Sequence, residues 1–197
     1  MPGLFVTIEG IDRSGKSTQA RRLAEALGDE ALLVREPGGT PAGERIRDLL
    51  KDPAVELDPH TEALLFAAAR AELVAAVIAP ALQAGKVVIS DRYLDSSLAY
   101  QGHARGLGEA EVARINAWAL QPDLTVLLRI DPEAAATRAG EADRFEDEGI
   151  ELQKRVADAY ERLAAANPDR WKVIDAARSE DEVAADIRQM VEAGVAA

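Results

Sequence analysis

Cysteine is missing from this chain altogether. Its absence excludes a disulfide framework and thiolate chemistry, and it fits a reducing compartment. Histidine is nearly as scarce: His60 and His103 are the only two, too few and too far apart for a metal cluster. A basic excess is lacking too. The formal net charge of −12 argues against a nucleic-acid surface. It also means that any bound phosphate needs Arg and Lys gathered locally against an unfavourable average field. No basic segment followed by an apolar stretch opens the sequence, so no signal peptide is expected, and no apolar run reaches membrane-spanning length without charges. Repeats, low-complexity tracts and linkers are absent. The expectation is one domain over residues 1–197, cytoplasmic, with neither nucleic acid nor membrane as a partner.

What the chain does carry is concentrated near its start, where residues 5–18 read FVTIEGIDRSGKST. An apolar run from Phe5 to Ile8 ends at Glu9. Gly10, four residues, Gly15, Lys16 and Ser17 then satisfy the phosphate-loop pattern G-x-x-x-x-G-K-[ST]. The glycines leave room for backbone N–H groups to converge on phosphate oxygens. Lys16 adds a point charge, and the Ser17 hydroxyl can ligate Mg²⁺. The residues after it, Thr18 to Leu27, read as a helix whose positive end faces the same anion. A chance match in a glycine-rich turn would not bring that strand before and that helix after. The stretch reads as a nucleoside triphosphate site.

Further on, strand and helix patterns alternate. Residues 31–35 (ALLVR) read as a short strand, Glu36-Pro37-Gly38-Gly39-Thr40 as a turn, and Pro41 to Leu50 as a helix. Asp58-Pro59 is a strong helix start, opening a segment over roughly 59–84 that is apolar almost all round. Such a helix is expected to be buried on more than one side: one side on the sheet, the other in a homodimer interface. Pro80 is expected to kink or end it. Within it Phe66 and Arg70 share a face, being four apart; a core Phe66 and a surface Arg70 is the competing reading.

Gly85 closes that helix and the strand Lys86 to Asp91 follows, ending in an acid where a metal-neighbouring aspartate of a phosphate-loop fold would sit. Arg92 comes next, at the edge where open α/β sheets bind ligands. Ser96, Ser97, Tyr100 and Gln101 then form a polar face suited to a base or sugar, or else an ordinary exposed helix. A helix over Gly106 to Leu120, a strand over Leu124 to Ile130, a helix from Asp131-Pro132-Glu133 to Arg138, a helix over Ile150 to Ala166, a strand over Trp171 to Ile174 and a last helix over Glu180 to Val191 complete the chain. Ala139 to Gly149 is charged and lacks apolar periodicity, which reads as a mobile loop carrying Arg144. The alternation predicts a doubly wound, parallel, five-stranded α/β sheet of the phosphate-loop NTPase type, flanked by helices, with a short lid at approximately 138–149.

No Asn-Lys pair of the guanine-reading kind occurs, and no L-S-G-G-Q transporter signature. Arginines do occur in distinct segments: Arg13, Arg70, Arg92, Arg138 and Arg144. Phosphoryl transfer asks for charge placed on the transferring group, and one such arginine is worth ~10³–10⁵ in rate.

At this point the sequence resembles the thymidylate kinase family over nearly its whole length. The matching stretches are EGIDRSGKST, REPGGT (35–40), TEALLFAAAR (61–70), DRY followed by SSLAYQG (91–102), PDLTVLLRID (122–131) and DRFE (143–146). The resemblance implies transfer of a phosphoryl group from Mg-ATP to dTMP, by a homodimer. It implies that Gly10, Ile11, Asp12, Arg13, Ser14, Gly15, Lys16, Ser17 and Thr18 hold ATP, with Arg138 over adenine and Arg144 nearby. Ser17 and Asp91 would attend Mg²⁺. Asp12 would accept from the sugar 3′-hydroxyl, Phe66 would stack on thymine, Arg70 would donate to its O4 edge and Arg92 would bind the acceptor phosphate. Glu36, Pro37, Ser96, Ser97, Tyr100 and Gln101 would line the rest of the acceptor site, Tyr100 crowding out a 2′-hydroxyl. Members of this family carry the charge-stabilising arginine either in the phosphate loop or in the lid. Here Arg13 sits in the loop, while Ala139 falls where lid-type enzymes carry theirs, so Arg13 is expected to dominate with Lys16, Asp12 and Arg92 as its partners in catalysis. A kinase for another pyrimidine monophosphate or a deoxynucleoside is the alternative, and a nucleotide-driven ATPase switch the alternative from another class.

Overall fold

The computed structural model describes residues 3–138 and 149–195. They form a five-stranded, all-parallel sheet in the order β2-β3-β1-β4-β5. The strands are β1 Leu4–Glu9, β2 Ala31–Arg35, β3 Val87–Asp91, β4 Leu124–Arg129 and β5 Trp171–Asp175. β1 is central and its Val6 and Ile8 are sealed from water, as are Val88 and Ile89 of β3 and Val126 of β4. Both faces of the sheet are covered, which is why these strands read as near-continuous apolar runs rather than alternating ones. Burying one such side chain contributes about 1.5–3 kcal/mol.

The chain leaves β1 for β2 and β3 on one side and crosses to β4 and β5 on the other. The carboxyl ends of β1 and β3 therefore flank the point where the winding reverses, with Ile8 in register with Asp91. Ligands of open α/β sheets bind in that crevice. Side-chain caps that the sequence supplies start several helices: Thr40 accepts from Gly43 N–H, Asp58 from His60 N–H and Asp131 from Ala134 N–H.

Several boundaries differ from expectation. The helix after the phosphate loop begins at Lys16, two residues before Thr18, because Gly15 in a left-handed conformation already turns the chain into it. The apolar segment is one helix, Pro59–Gln83, and Pro80 does not end it. Instead Val74–Ile78, one turn earlier, is wound as a π-helix, which absorbs the missing donor. That helix is covered along one side by Ala63, Ala67, Arg70, Leu73 and Ile78, while Leu64, Ala68, Ala75 and Ala76 are open. Within one chain it is not buried on two sides. By length and composition alone it could span a membrane, yet Glu62 and Arg70 are buried in it and engaged inside the protein. The helix expected over 106–120 shrinks to Glu109–Ile115, since Gly106 and Gly108 take φ of 78° and 86° and Asn116 starts a turn.

Candidate active site

The phosphate loop joins β1 to the helix Lys16–Leu27, termed α1. Gly10 adopts φ 147°, and a Cβ there would lie 2.8 Å from both Leu128 O and Ser14 Oγ, so only glycine fits. Among the described residues no side chain caps α1. Its first N–H groups are left for an anion, with the helix dipole behind them. Lys16 is buried, its Nζ donating to Ile11 O at 2.6 Å. Burial foremost, then the nearby Arg92 charge, pushes its pKa down to about 8 against the pull of Asp12, Asp91 and Glu9. Ser17 Oγ donates to Asp91 Oδ2 at 2.5 Å across the crevice. A hydroxyl and a carboxylate meeting at one point are a fitting donor set for a hard divalent cation.

Two cavities meet at Arg13, Lys16 and Ser17. The first, of about 270 Å³, is lined by seven basic side chains (Arg13, Lys16, Arg35, Arg47, Lys51, Arg70 and Arg92) against the acids Asp12, Glu36 and Asp91. This is the local gathering of positive charge that a chain of net charge −12 requires. Pro37, Phe66, Tyr93, Ser96, Ser97, Tyr100 and Gln101 complete the wall. The second cavity, of about 560 Å³, is lined by residues 13–19 together with Arg138, Ala176, Arg178, Glu180 and Val183.

In the first cavity Arg92 is held in a left-handed backbone conformation, φ 67°. Such strain in a non-glycine residue persists only where surrounding contacts fix it. Its guanidinium donates to Gly10 O at 3.0 Å, Ser96 Oγ at 3.2 Å, Tyr100 OH at 3.3 Å and Tyr160 OH at 3.4 Å, and to Asp12 Oδ1, and it lies over the Tyr100 ring. Asp12 in turn accepts from Gln153 Nε2 at 2.7 Å, while its own N–H donates to Gln153 Oε1 at 3.1 Å. Burial alone would raise the Asp12 pKa; Arg92, Lys16 and the Gln153 hydrogen bond together outweigh it and hold the carboxyl below its usual range.

Arg70 is 1% exposed, so the surface reading of that residue fails. Its Nε and Nη2 donate to Glu36 Oε2 at 2.9 and 2.6 Å, Nη2 also to Ser97 Oγ at 3.0 Å, and Nη1 to Asn116 Oδ1 at 2.7 Å. These four bonds leave one of the five guanidinium N–H groups, on Nη1, for whatever enters the cavity. Glu36 Oε1 is sealed without a hydrogen-bond partner among the described residues, and burial lifts the Glu36 pKa to about 7 against the Arg70 charge. The Glu36-Pro37 peptide is cis, and Pro37 O accepts from Arg35 and Arg47 at 3.1 and 2.9 Å.

On the second cavity Arg138 does not stand free. Nη1 donates to Arg13 O and Ser14 O at 3.4 and 3.2 Å, and Nη2 to Ala176 O at 2.6 Å. Arg13 answers with Nη1 donating to Ala136 O and Arg138 O at 3.2 and 3.3 Å. The loop and the base of the expected lid thus brace each other. Arg144 and most of that lid lie outside the described residues.

Sequence reasoning missed Glu9, Gln153 and Tyr160, along with Arg35, Arg47 and Lys51 on the cavity wall. Glu9 is fully buried where β1 ends. It accepts from Tyr93 N–H at 2.8 Å, Ser96 Oγ at 2.6 Å and Tyr160 OH at 2.8 Å. Desolvation, then the Asp95 charge, raises its pKa to about 7. Gln153 and Tyr160 stand seven apart in the helix Ile150–Ala166, within the stripe of Leu152, Val156, Ala159 and Leu163 that packs inward. Polar residues on an apolar stripe were the available signal.

The chain matches the family model described as Thymidylate kinase over residues 8–187. It is 47% identical over 194 residues to a thymidylate kinase of Deinococcus radiodurans, covering 94% of each chain. It is 50% identical over 198 residues to one of Symbiobacterium thermophilum, covering 96% of this chain and 92% of that protein. A crystal structure of thymidylate kinase from Ehrlichia chaffeensis superposes with a TM-score of 0.81 at 33% identity, covering 97% of this chain and 100% of the other.

Proposed function

The chain belongs to the thymidylate kinase family, and on that premise we propose that it transfers the γ-phosphoryl group of ATP to dTMP, giving ADP and dTDP, as one domain. The observation that carries this reading is the pairing of two cavities through Arg13, Lys16 and Ser17: a triphosphate on the loop amides in one would face an acceptor in the other.

In this reading the loop amides of residues 10–18 and Lys16 hold the ATP phosphates. Ser17 and Asp91 hold Mg²⁺, which when bound neutralises charge on the phosphates. Arg92 takes the dTMP phosphate and Asp12 the 3′-hydroxyl of the sugar. Arg70 gives its remaining Nη1 hydrogen to the thymine O4, and Phe66 supplies an aromatic face for the base. Glu36 anchors Arg70, Pro37 closes the wall, and Tyr100 stands where a ribose 2′-hydroxyl would need room. Arg13 stabilises charge on the transferring group, and Arg138 covers the adenine side. The open face of Pro59–Gln83, with Leu64 55% exposed, is the surface through which two copies pair. The molecule works in the cytoplasm, off the membrane and off nucleic acid.

The test is ADP release from Mg-ATP with dTMP, dUMP, UMP, CMP, AMP and thymidine offered separately. Fast turnover on dTMP with weaker dUMP is the expected result. Preference for thymidine or CMP would leave the ATP site standing and overturn the acceptor roles of Phe66, Arg70 and Arg92.

A further inference from the structure

Glu62 and Gln101 are each 1% exposed, and Glu62 does not line either cavity. Glu62 Oε1 accepts from Gln101 Nε2 at 2.8 Å and from Arg105 Nε at 2.5 Å. A carboxylate has only acceptors to offer, so Gln101 must turn its NH₂ group, not its carbonyl, toward Glu62. Arg105 supplies the counter-charge that lets a carboxylate remain in that interior. The consequence falls on the other end of the amide. Gln101 lines the first cavity, and its Oε1 accepts no hydrogen bond among the described residues. Nor is it one of the sealed, unpartnered atoms such as Glu36 Oε1. An acceptor is therefore presented in the same cavity as the spare Nη1 donor of Arg70.

We propose that Glu62, backed by Arg105, is a specificity-determining positioning residue. It locks the Gln101 amide so that the cavity shows an acceptor beside the Arg70 donor, which selects a base with a ring N–H next to a carbonyl. Thymine and uracil present that pair at N3 and O4. Cytosine presents the reverse, a bare N3 and an N4 amino group, and meets acceptor with acceptor and donor with donor. The inference rests on the base-reading role given above to Arg70. Buried polar groups left facing their own kind are what make such discrimination steep, on the order of 10⁴ where it is built in.

The experiment compares kcat/KM for dTMP and dCMP in the wild type, Glu62→Gln and Glu62→Asp. A glutamine at 62 can accept as well as donate, so Gln101 is free to turn over. Glu62→Gln should lower the dTMP-to-dCMP preference at least about tenfold with the KM for ATP unchanged, and Glu62→Asp should restore most of it. A folded Glu62→Gln protein with wild-type preference overturns the proposal. If that variant does not fold, the wild type decides through hydrogen exchange of the Gln101 side-chain NH₂, followed by NMR without nucleotide. Protected protons place the nitrogen on Glu62; freely exchanging ones place it in the cavity and overturn the proposal. Wild-type protein that releases no ADP in response to dTMP would instead fail the kinase reading, leaving the exchange measurement to judge the amide alone.

Discussion

Arg92 Nη2 donates to Asp12 Oδ1 inside the acceptor cavity, and Gln153 takes the other oxygen of the same carboxylate. Both groups assigned to the acceptor are therefore already engaged, with each other. In the proposed reading, a nucleoside monophosphate would exchange that ion pair for phosphate on Arg92 and hydroxyl on Asp12. The positions are fixed beforehand by Glu9, Ser96 and Tyr160 beneath, so the exchange asks for little backbone movement.

Removing the guanidinium should therefore strike the acceptor and spare the donor. Arg92→Ala is expected to lower kcat/KM for dTMP by roughly 10³ while leaving ATP affinity little changed, checked by steady-state kinetics beside ATP titration. Equal losses for both substrates would contradict the assignment.

Lys16 carries a second prediction. Its pKa in the nucleotide-free protein is pushed down to about 8 by burial and then by Arg92. Bound phosphates favour the charged form, so above that pH the protein must take up a proton when ATP binds. Apparent ATP affinity should fall about tenfold per pH unit above it. Calorimetry in two buffers of different ionisation enthalpy would show proton uptake approaching one per ATP; uptake near zero at high pH would contradict it.

Glu9 bears on stability instead. Its folded pKa of about 7 lies above its ordinary 4.5. Between those two values the folded chain holds a proton that the unfolded chain has released, so stability falls as pH rises through the window. The loss due to Glu9 is on the order of 3 kcal/mol. Denaturant unfolding of wild type and Glu9→Gln across that range should show the wild type losing ground to the variant; parallel profiles would refute the role of burial.

Arg13→Ala should lower turnover far more than Arg144→Ala, since Arg13 borders both cavities. Comparable losses in single-turnover assays would shift the charge-stabilising role toward the lid.

The five parallel strands and the phosphate loop were legible because local signals decide them: apolar β-branched runs alternating with helices, and glycines that tolerate no Cβ; the order of the strands in the sheet was not. The course of the helices at Pro80 and over 106–120 was not, because a π-helical turn and a glycine pair override the pattern there. Phe66 and Arg70 were visible as neighbours, but the burial of Arg70 depends on Glu36 and Asn116, which are 34 and 46 residues away in sequence. Glu9, Gln153 and Tyr160 were hidden for the same reason. Each looks like a strand end or a helix residue until the sheet brings position 9 against position 160.

The most direct measurement follows the γ-phosphate of labelled Mg-ATP in the presence and absence of dTMP. The account predicts label in dTDP, one for each ADP formed, and almost none released without acceptor. Label appearing as inorganic phosphate at the same rate with or without dTMP would contradict it, and would make the chain an ATPase rather than a kinase.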